Sequence, residues 1–381
     1  MRFFFYAGLI CLAVFEVLNV YFIMPMPGSQ QMNSVDVAYF LYSYRWIFRG
    51  IFGVMIIVGS PSAFQTKRMW IPLLAILPVA FIVYTFNFRM TADHMFLQPE
   101  KLVFHGRSMT SLIDSTLVIA VEHNSEAKAY PVRYILYHHQ VRDTVGGLPV
   151  MVTYCNVCRT GRVFEPNVNG RNENFRLVGM DHFNAMFEDK ETKSWWRQAT
   201  GEAVTGPLKG QRLPEILCHQ YTLGKFFSLH PFGKVMEAEP QSMDYYDTLG
   251  RFEKGLNRGR LTRSDSLSWK EKSWVIGIEI DGASRAFDWN VLKEERVVNS
   301  DVAGTPIAVA IASDNNSFIA IRRENDEQFT VRNDSLVSSF RSFDFAGRSS
   351  TGTQAHVLKS YQEFWHSWKE FHPNTSTYPD I

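Results

Sequence analysis

One stretch of this chain is written twice. Residues 118–154 overlay residues 275–311 at a constant offset of 157 without a gap, and nine of the 37 pairs are identical. They are Val118/Val275, Ile119/Ile276, Glu122/Glu279, Ala129/Ala286, Val141/Val298, Val145/Val302, Gly147/Gly304, Pro149/Pro306 and Val152/Val309. Roughly two would be expected at common residue frequencies. Other pairs keep their character, as in Tyr130/Phe287 and Lys128/Arg285. The ends echo too: FFSLHP at 226–231 and WKEFHP at 368–373 each follow an aromatic-rich helical pattern. The offset predicts two related units, at about 95–240 and 255–381. Between them, residues 247–265 are rich in Gly, Arg, Ser and Asn and read as a linker.

Both units open with the same grammar. A short strand meets a polar turn, Asn124-Ser125 or Asp281-Gly282, and Asp-Gly is a strong hairpin signal. A second strand follows, then a short helical pattern (132–139 or 289–295), then strands around Gly146-Gly147 or Ala303-Gly304. Asn169-Gly170 marks a further hairpin. The expected fold class is α+β, mainly antiparallel β, as an internally duplicated soluble domain preceded by three transmembrane helices.

Residues 1–90 read as a membrane region. Residues 3–24 are almost continuously apolar, long enough to span a bilayer and too long for a secretory h-region. No small-residue cleavage site follows, so the segment is expected to stay as an anchor. Further spans are expected at about 41–58 and 69–86, with Pro78 inside the last. Arg2 and the loop residues Lys67 and Arg68 then lie in the cytoplasm by the positive-inside rule. Three spans place the rest of the chain outside it, on an integral inner (cytoplasmic) membrane protein. Two charges fall inside spans. Glu16 and Arg49 come out at similar depth, about 10 and 12 Å from the outer face, which predicts a buried pair. The alternative is that each snorkels to the interface.

The net charge is +1, which gives nucleic acid no electrostatic footprint. Of four cysteines, Cys11 lies in an apolar run and Cys155, Cys158 and Cys218 lie beyond the spans. At most one intramolecular disulfide can form among those three. The 157 offset sets Cys155 against Ala312 and Cys158 against Asn315, where SDNN at 313–316 is turn chemistry between two strands. The turn therefore does not need cysteine in order to form. A thioredoxin-type C-x-x-C opens a helix, whereas this one joins strands, as a metal knuckle does. Further ligands would come from His138, His139, His182, Cys218, His219 or His230. His138 is favoured, because its helix leads directly into the cysteine strands.

The run DTVGGLPVMVTYCNVC at 143–158, with EAKAYP at 126–131, His138, WWRQ at 195–198 and GEAVTGPL at 201–208, resembles the bacterial and archaeal DUF3179 family. The resemblance covers roughly 118–230, and the second unit looks like a decayed copy. The family has no established activity, so the resemblance implies a place and not a reaction. Where the family has Pro and Gly in C-P-x-C-G, this chain has Asn156 and Arg159. The Gly permits positive φ. Arg159 in its place would lower a neighbouring thiol's pKa, which suits a reactive cysteine.

Two further constellations stand out. Asp181-His182 is an acid/base candidate or a surface pair, and Trp195-Trp196 is a pocket wall or core. Walker A, G-x-G-x-x-G, H-E-x-x-H and G-x-S-x-G motifs are absent from the sequence. Three functions are expected to compete. The first is a membrane-anchored domain that binds copper or zinc through Cys155, Cys158, His138 and His182, or that runs thiol–disulfide redox with Cys155, Cys158 and Arg159. The second is a non-catalytic binding module with a structural disulfide. The third is an enzyme with a cysteine nucleophile and His138 or His182 as base.

Overall fold

The computed structural model describes residues 1–381 apart from Lys254, Asn257, Arg258, Arg260, Asn325 and Ile381. Part of the linker expected at 247–265 lies outside the described residues. The chain forms two compact units. One holds Met1–Leu97, Asn174–Arg197 and Glu202–Arg212; the other holds Gln98–Glu173, Gln198–Gly201 and Leu213–Ile381.

The first unit contains three helices long and apolar enough to cross a membrane, Arg2–Tyr21, Arg45–Phe64 and Trp70–Arg89. The second starts later than the hydropathy suggests, because Val35–Ser43 forms a helix of its own. The third ends in a π turn, Thr85–Arg89. Ile10, Val14, Ile47, Val54, Leu77 and Phe81 point outward, an apolar surface that suits lipid. The first two helices pack closely through glycine. A Cβ on Gly59 would sit 2.3 Å from the Phe5 nitrogen, and one on Gly8 would sit 2.8 Å from Ile56 Cγ1.

The charge pair expected from matched depth is present. Arg49 Nε and Nη2 donate to the two carboxylate oxygens of Glu16 at 2.7 and 2.8 Å. Asn87, on the third helix, donates to Glu16 Oε2 at 2.9 Å and accepts from Arg49. Each charge is thus offset by a partner inside the helix bundle.

The same unit carries a four-stranded antiparallel sheet of Phe175–Asp181, Asn184–Asp189, Trp195–Arg197 and Ala203–Thr205. Trp195, Met186, Val178 and Val204 form a core with Ile23 and Ala38.

The second unit is α+β, and among the described residues its strand pairings are antiparallel save two. It is built from two arms. The first arm begins with the hairpin Leu117–His123 and Glu126–Pro131, flanked by His219–Thr222 on one side and Lys234–Met236 on the other. The second begins with Trp274–Ile280 and Ala283–Asp288, flanked by Tyr361–Phe364 and Ser376–Tyr378. A helix follows each hairpin, Val132–His138 or Trp289–Glu295. Each helix leads into three antiparallel strands. These are Gln140–Val145, Leu148–Cys155 and Thr160–Phe164 in the first arm, and Val297–Val302, Thr305–Ile311 and Phe318–Arg322 in the second.

The pairing registers of the arms correspond residue for residue. Val118 faces Pro131 and Val275 faces Asp288. Gln140 faces Thr153 and Val297 faces Ala310. Tyr154 faces Gly161 and Ile311 faces Phe318. In every case the second arm's number is higher by 157. The flanking strands and the helices Leu223–Leu229 and Trp365–Phe371 correspond at an offset of 142, since His219 faces Ala120 and Tyr361 faces Gly277. Left-handed backbone recurs at His139 and Arg296, the residues that end the two first helices. The arms share a core: Val118, Ala129, Tyr221 and Phe226 cluster with Ala308, Ala310, Ile319 and Ile321.

Candidate functional site

Leu148–Cys155 and Thr160–Phe164 are rich in β-formers and pair as a hairpin, so the residues between them must turn. Arg159 N–H closes the turn on Cys155 O at 2.8 Å, and Arg159 takes φ 61°. Glycine takes this left-handed conformation at least cost, and Arg holds it here. The turn puts Cys158 N–H 3.4 Å from Cys155 Sγ. Both cysteines are thiols and both are fully buried. Burial first, then hydrogen bonding and charge shared with Cys155, push the Cys158 thiol well above its ordinary pKa; Ser367 works the other way.

The surroundings of the turn come from the second arm. Phe364 N–H donates to Cys158 O at 2.9 Å. Three residues on is the buried Ser367, whose hydroxyl acts on the Cys158 thiol. Lys272 Nζ donates to Val157 O at 3.4 Å and to His366 Nε2 at 2.8 Å. Burial lowers the Lys272 pKa, while negative charge on Cys158 and Cys155 would raise it. Burial and the Lys272 charge push His366 down to about 3, so its ring is neutral near pH 7 and accepts from the ammonium. The reverse contact exists as well. Thr222, the counterpart of Phe364, donates its N–H to Ser317 in the second arm's turn at 2.9 Å.

Lys272, His366 and Ser367 lie more than a hundred residues from the cysteines in sequence, and sequence reasoning did not reach them. The available signal was the echo of 226–231 in 368–373, which marks the helix but not the turn it meets.

Other expected site residues lie elsewhere. Arg159 donates through Nη1 to Phe252 O at 2.7 Å and through Nη2 to Glu253 O, and its guanidinium lies 5.3 Å from both the Phe252 and Trp274 rings. Lys272, rather than Arg159, is the cation bonded to the turn's backbone at Val157. His138 Nε2 meets the Tyr246 hydroxyl at 2.6 Å. Burial pushes His139 down to about 4, against smaller upward effects of Tyr137 and of Asn156 in the turn. Cys218 is pushed up to about 12, by burial first and the Glu215 charge next.

His182 belongs to the other unit, where its Nδ1 meets Asp181 Oδ1 at 2.7 Å and Arg197 Nε donates to Asp181 Oδ2 at 2.9 Å. Burial pushes Asp181 up, but these two partners outweigh it and hold the carboxyl low. In that unit Trp195 and Trp196 are core residues whose indole N–H groups bond Glu188 and Asp189 at 3.0 and 2.9 Å. Among the described residues, no three His, Cys, Asp or Glu side chains are grouped so as to hold a metal ion.

No curated protein and no solved structure matches the chain. The profile of a family described as "Protein of unknown function (DUF3179)" matches residues 102–375. That is most of the chain. It runs through the second arm, well beyond residues 118–230, where the resemblance in the sequence lies. The turn with its two cysteines and the second-arm residues around it all fall inside the match, and the chain belongs to the DUF3179 family.

Proposed function

We propose that this chain is a membrane-anchored thiol–disulfide redox protein with its β-rich part outside the cytoplasm. The observation that carries the reading is the contact between Cys155 Sγ and Cys158 N–H in a turn whose backbone is bonded by Lys272. An ammonium group near two thiols favours the thiolate, the form that attacks. The chemistry is exchange with a disulfide. One thiolate attacks one sulfur of the partner's S–S bond, forming a mixed disulfide and expelling the partner's other sulfur as a thiolate. The second cysteine thiolate then attacks the first cysteine's sulfur and displaces the partner sulfur bonded to it, so Cys155–Cys158 becomes a disulfide and the partner leaves as a dithiol. Because both sulfurs are buried, exchange requires a small disulfide or an outward movement of the turn.

Further support comes from the correspondence of the arms. We infer that they are copies of one ancestral unit, since registers offset by 157 and 142 recur in both. The second copy keeps the turn without cysteine, so folding of the turn does not explain the pair in the first copy.

A soft metal is the second reading. A four-ligand zinc centre does not fit the described residues. Copper(I) is selected by thiolates, and two cysteines share one turn here.

The test is redox titration of the full-length protein in detergent against dithiothreitol buffers. Acid quenching, unfolding and maleimide labelling then count the thiols. Two thiols should disappear together in one transition, and in Cys155→Ser or Cys158→Ser the remaining cysteine of the pair should stay labelled throughout. If both stay labelled under full oxidation, the redox reading fails. Metal analysis under reducing conditions is then decisive for copper: about one ion per chain, lost in the double variant.

A further inference from the structure

Behind the cysteine turn, within the second unit, lies a cavity of about 350 Å³, inside the usual range for small-ligand sites. We propose that it binds a small organic monoanion, an aromatic or similarly flat carboxylate, independently of any chemistry at the cysteines.

The lining shows where the two arms have diverged. Trp274 and Leu117 occupy the same register position in the two arms, and both line the cavity. Arg159 and Asn316, also 157 apart, line it too. Trp289 lines it, and its counterpart is Val132. At all three positions one arm carries a plain residue and the other carries Trp or Arg. Next to them Gln220 Nε2 donates to Gln362 Oε1, two counterparts that meet, and Gln362 borders the cavity. The cavity thus sits at the junction of the arms, a preferred place for ligand sites.

The polar groups select charge. Two arginines and one glutamate line the cavity. Arg133 and Glu253 pair at 2.8 Å, which leaves Arg159 as the surplus cation. Arg159 is 1 % exposed, and among the described residues its Nε has no hydrogen-bond partner. A buried guanidinium with an unused N–H is costly until an acceptor arrives, and a carboxylate is the acceptor it matches best. The indoles of Trp274 and Trp289 offer flat apolar walls for the rest of the ligand.

The test is calorimetric titration of full-length protein in detergent with benzoate and with benzyl alcohol, its neutral analogue. Benzoate should bind saturably and about tenfold or more tighter than the alcohol. Trp274→Leu and Arg159→Asn install the other arm's residues, and each should weaken benzoate about tenfold. Arg159 also holds the carbonyls of Phe252 and Glu253, so that variant can fail to fold. In that event Trp274→Leu alone decides. Failure of benzoate to saturate below about 10 mM, equal affinity for the alcohol, or undiminished binding in Trp274→Leu overturns the proposal. The Cys155→Ser, Cys158→Ser double variant should bind like the parent, so loss of the redox reading leaves this one standing.

Discussion

A buried thiol titrates according to what surrounds it, and Cys158 has opposing neighbours. Burial and Cys155 hold its pKa up, while Ser367 lowers it. Lys272 is coupled to both thiols through charge. The sign of the pH dependence follows. The folded thiol ionises above its unfolded value, so near pH 7 it is protonated, and alkylation of the native protein should accelerate only as the solution becomes alkaline. His366 is already neutral above about pH 3, so no inflection from it is expected between pH 5 and 8. Replacing the ammonium, as in Lys272→Met, removes a charge that favours the thiolate. The rise in rate should move about one unit higher in pH. The measurement is the iodoacetamide rate of native protein against pH; superimposable profiles for parent and variant would show that Lys272 does not act on the thiols. The sequence made the two cysteines conspicuous and hid Lys272, because a lysine 114 positions after Cys158 has no local signature. Arg159 was conspicuous for the opposite reason. It is adjacent in sequence, yet its donors go to Phe252 and Glu253.

At the scale of elements, the three apolar helices were legible because a bilayer demands about twenty apolar residues in a row. The Glu16–Arg49 pair was legible because rise per residue fixes depth. Asn87 was not, since a neutral amide near a helix end gives no signal of that kind. Breaking one side of the cluster leaves a buried charge behind, which costs more than removing both. Glu16→Gln should therefore lower the stability of the helix bundle by about 3 kcal/mol, and Glu16→Gln with Arg49→Gln by clearly less. Thermal unfolding of the detergent-solubilised protein reads both. A double variant as damaged as the single one would mean that the pair contributes through packing rather than charge. The helix Val35–Ser43 and the sheet Phe175–Asp181 to Ala203–Thr205 illustrate the other limit. Residues 174–212 read as an ordinary part of the cysteine unit, but most of them pack into the first unit. That assignment rests on contacts between residues more than a hundred apart, such as Met180 N–H to Ile23 O at 2.7 Å, and periodicity cannot show them.

For the whole molecule, the question left by three spans is which side carries the arms. Under the proposed reading all three helices cross, and an odd number of crossings would put residues 90–381 opposite the N-terminus. Arg2, Lys67 and Arg68 mark one face of the membrane; Arg45 and Arg89 sit near the other. Arg49, also near that second face, is held inside the bundle by Glu16. On the topology proposed above, the face with Arg2, Lys67 and Arg68 is the cytoplasmic one, and Lys101 and Arg107, within about 20 residues of the last helix, fall with Arg45 and Arg89 on the other side. A disulfide couple at Cys155–Cys158 agrees with this, since disulfides persist outside the cytoplasm. Fusing alkaline phosphatase, active only outside, after Ile381 should give an active enzyme, and fusing a fluorescent protein that matures only in the cytoplasm should give a dark one. Lys67→Gln with Arg68→Gln removes two of the three charges and should produce a mixed population. A bright, phosphatase-negative fusion of the parent chain would reverse the topology. It would also place the thiol pair among cytoplasmic reductants, where a stable Cys155–Cys158 disulfide does not accumulate.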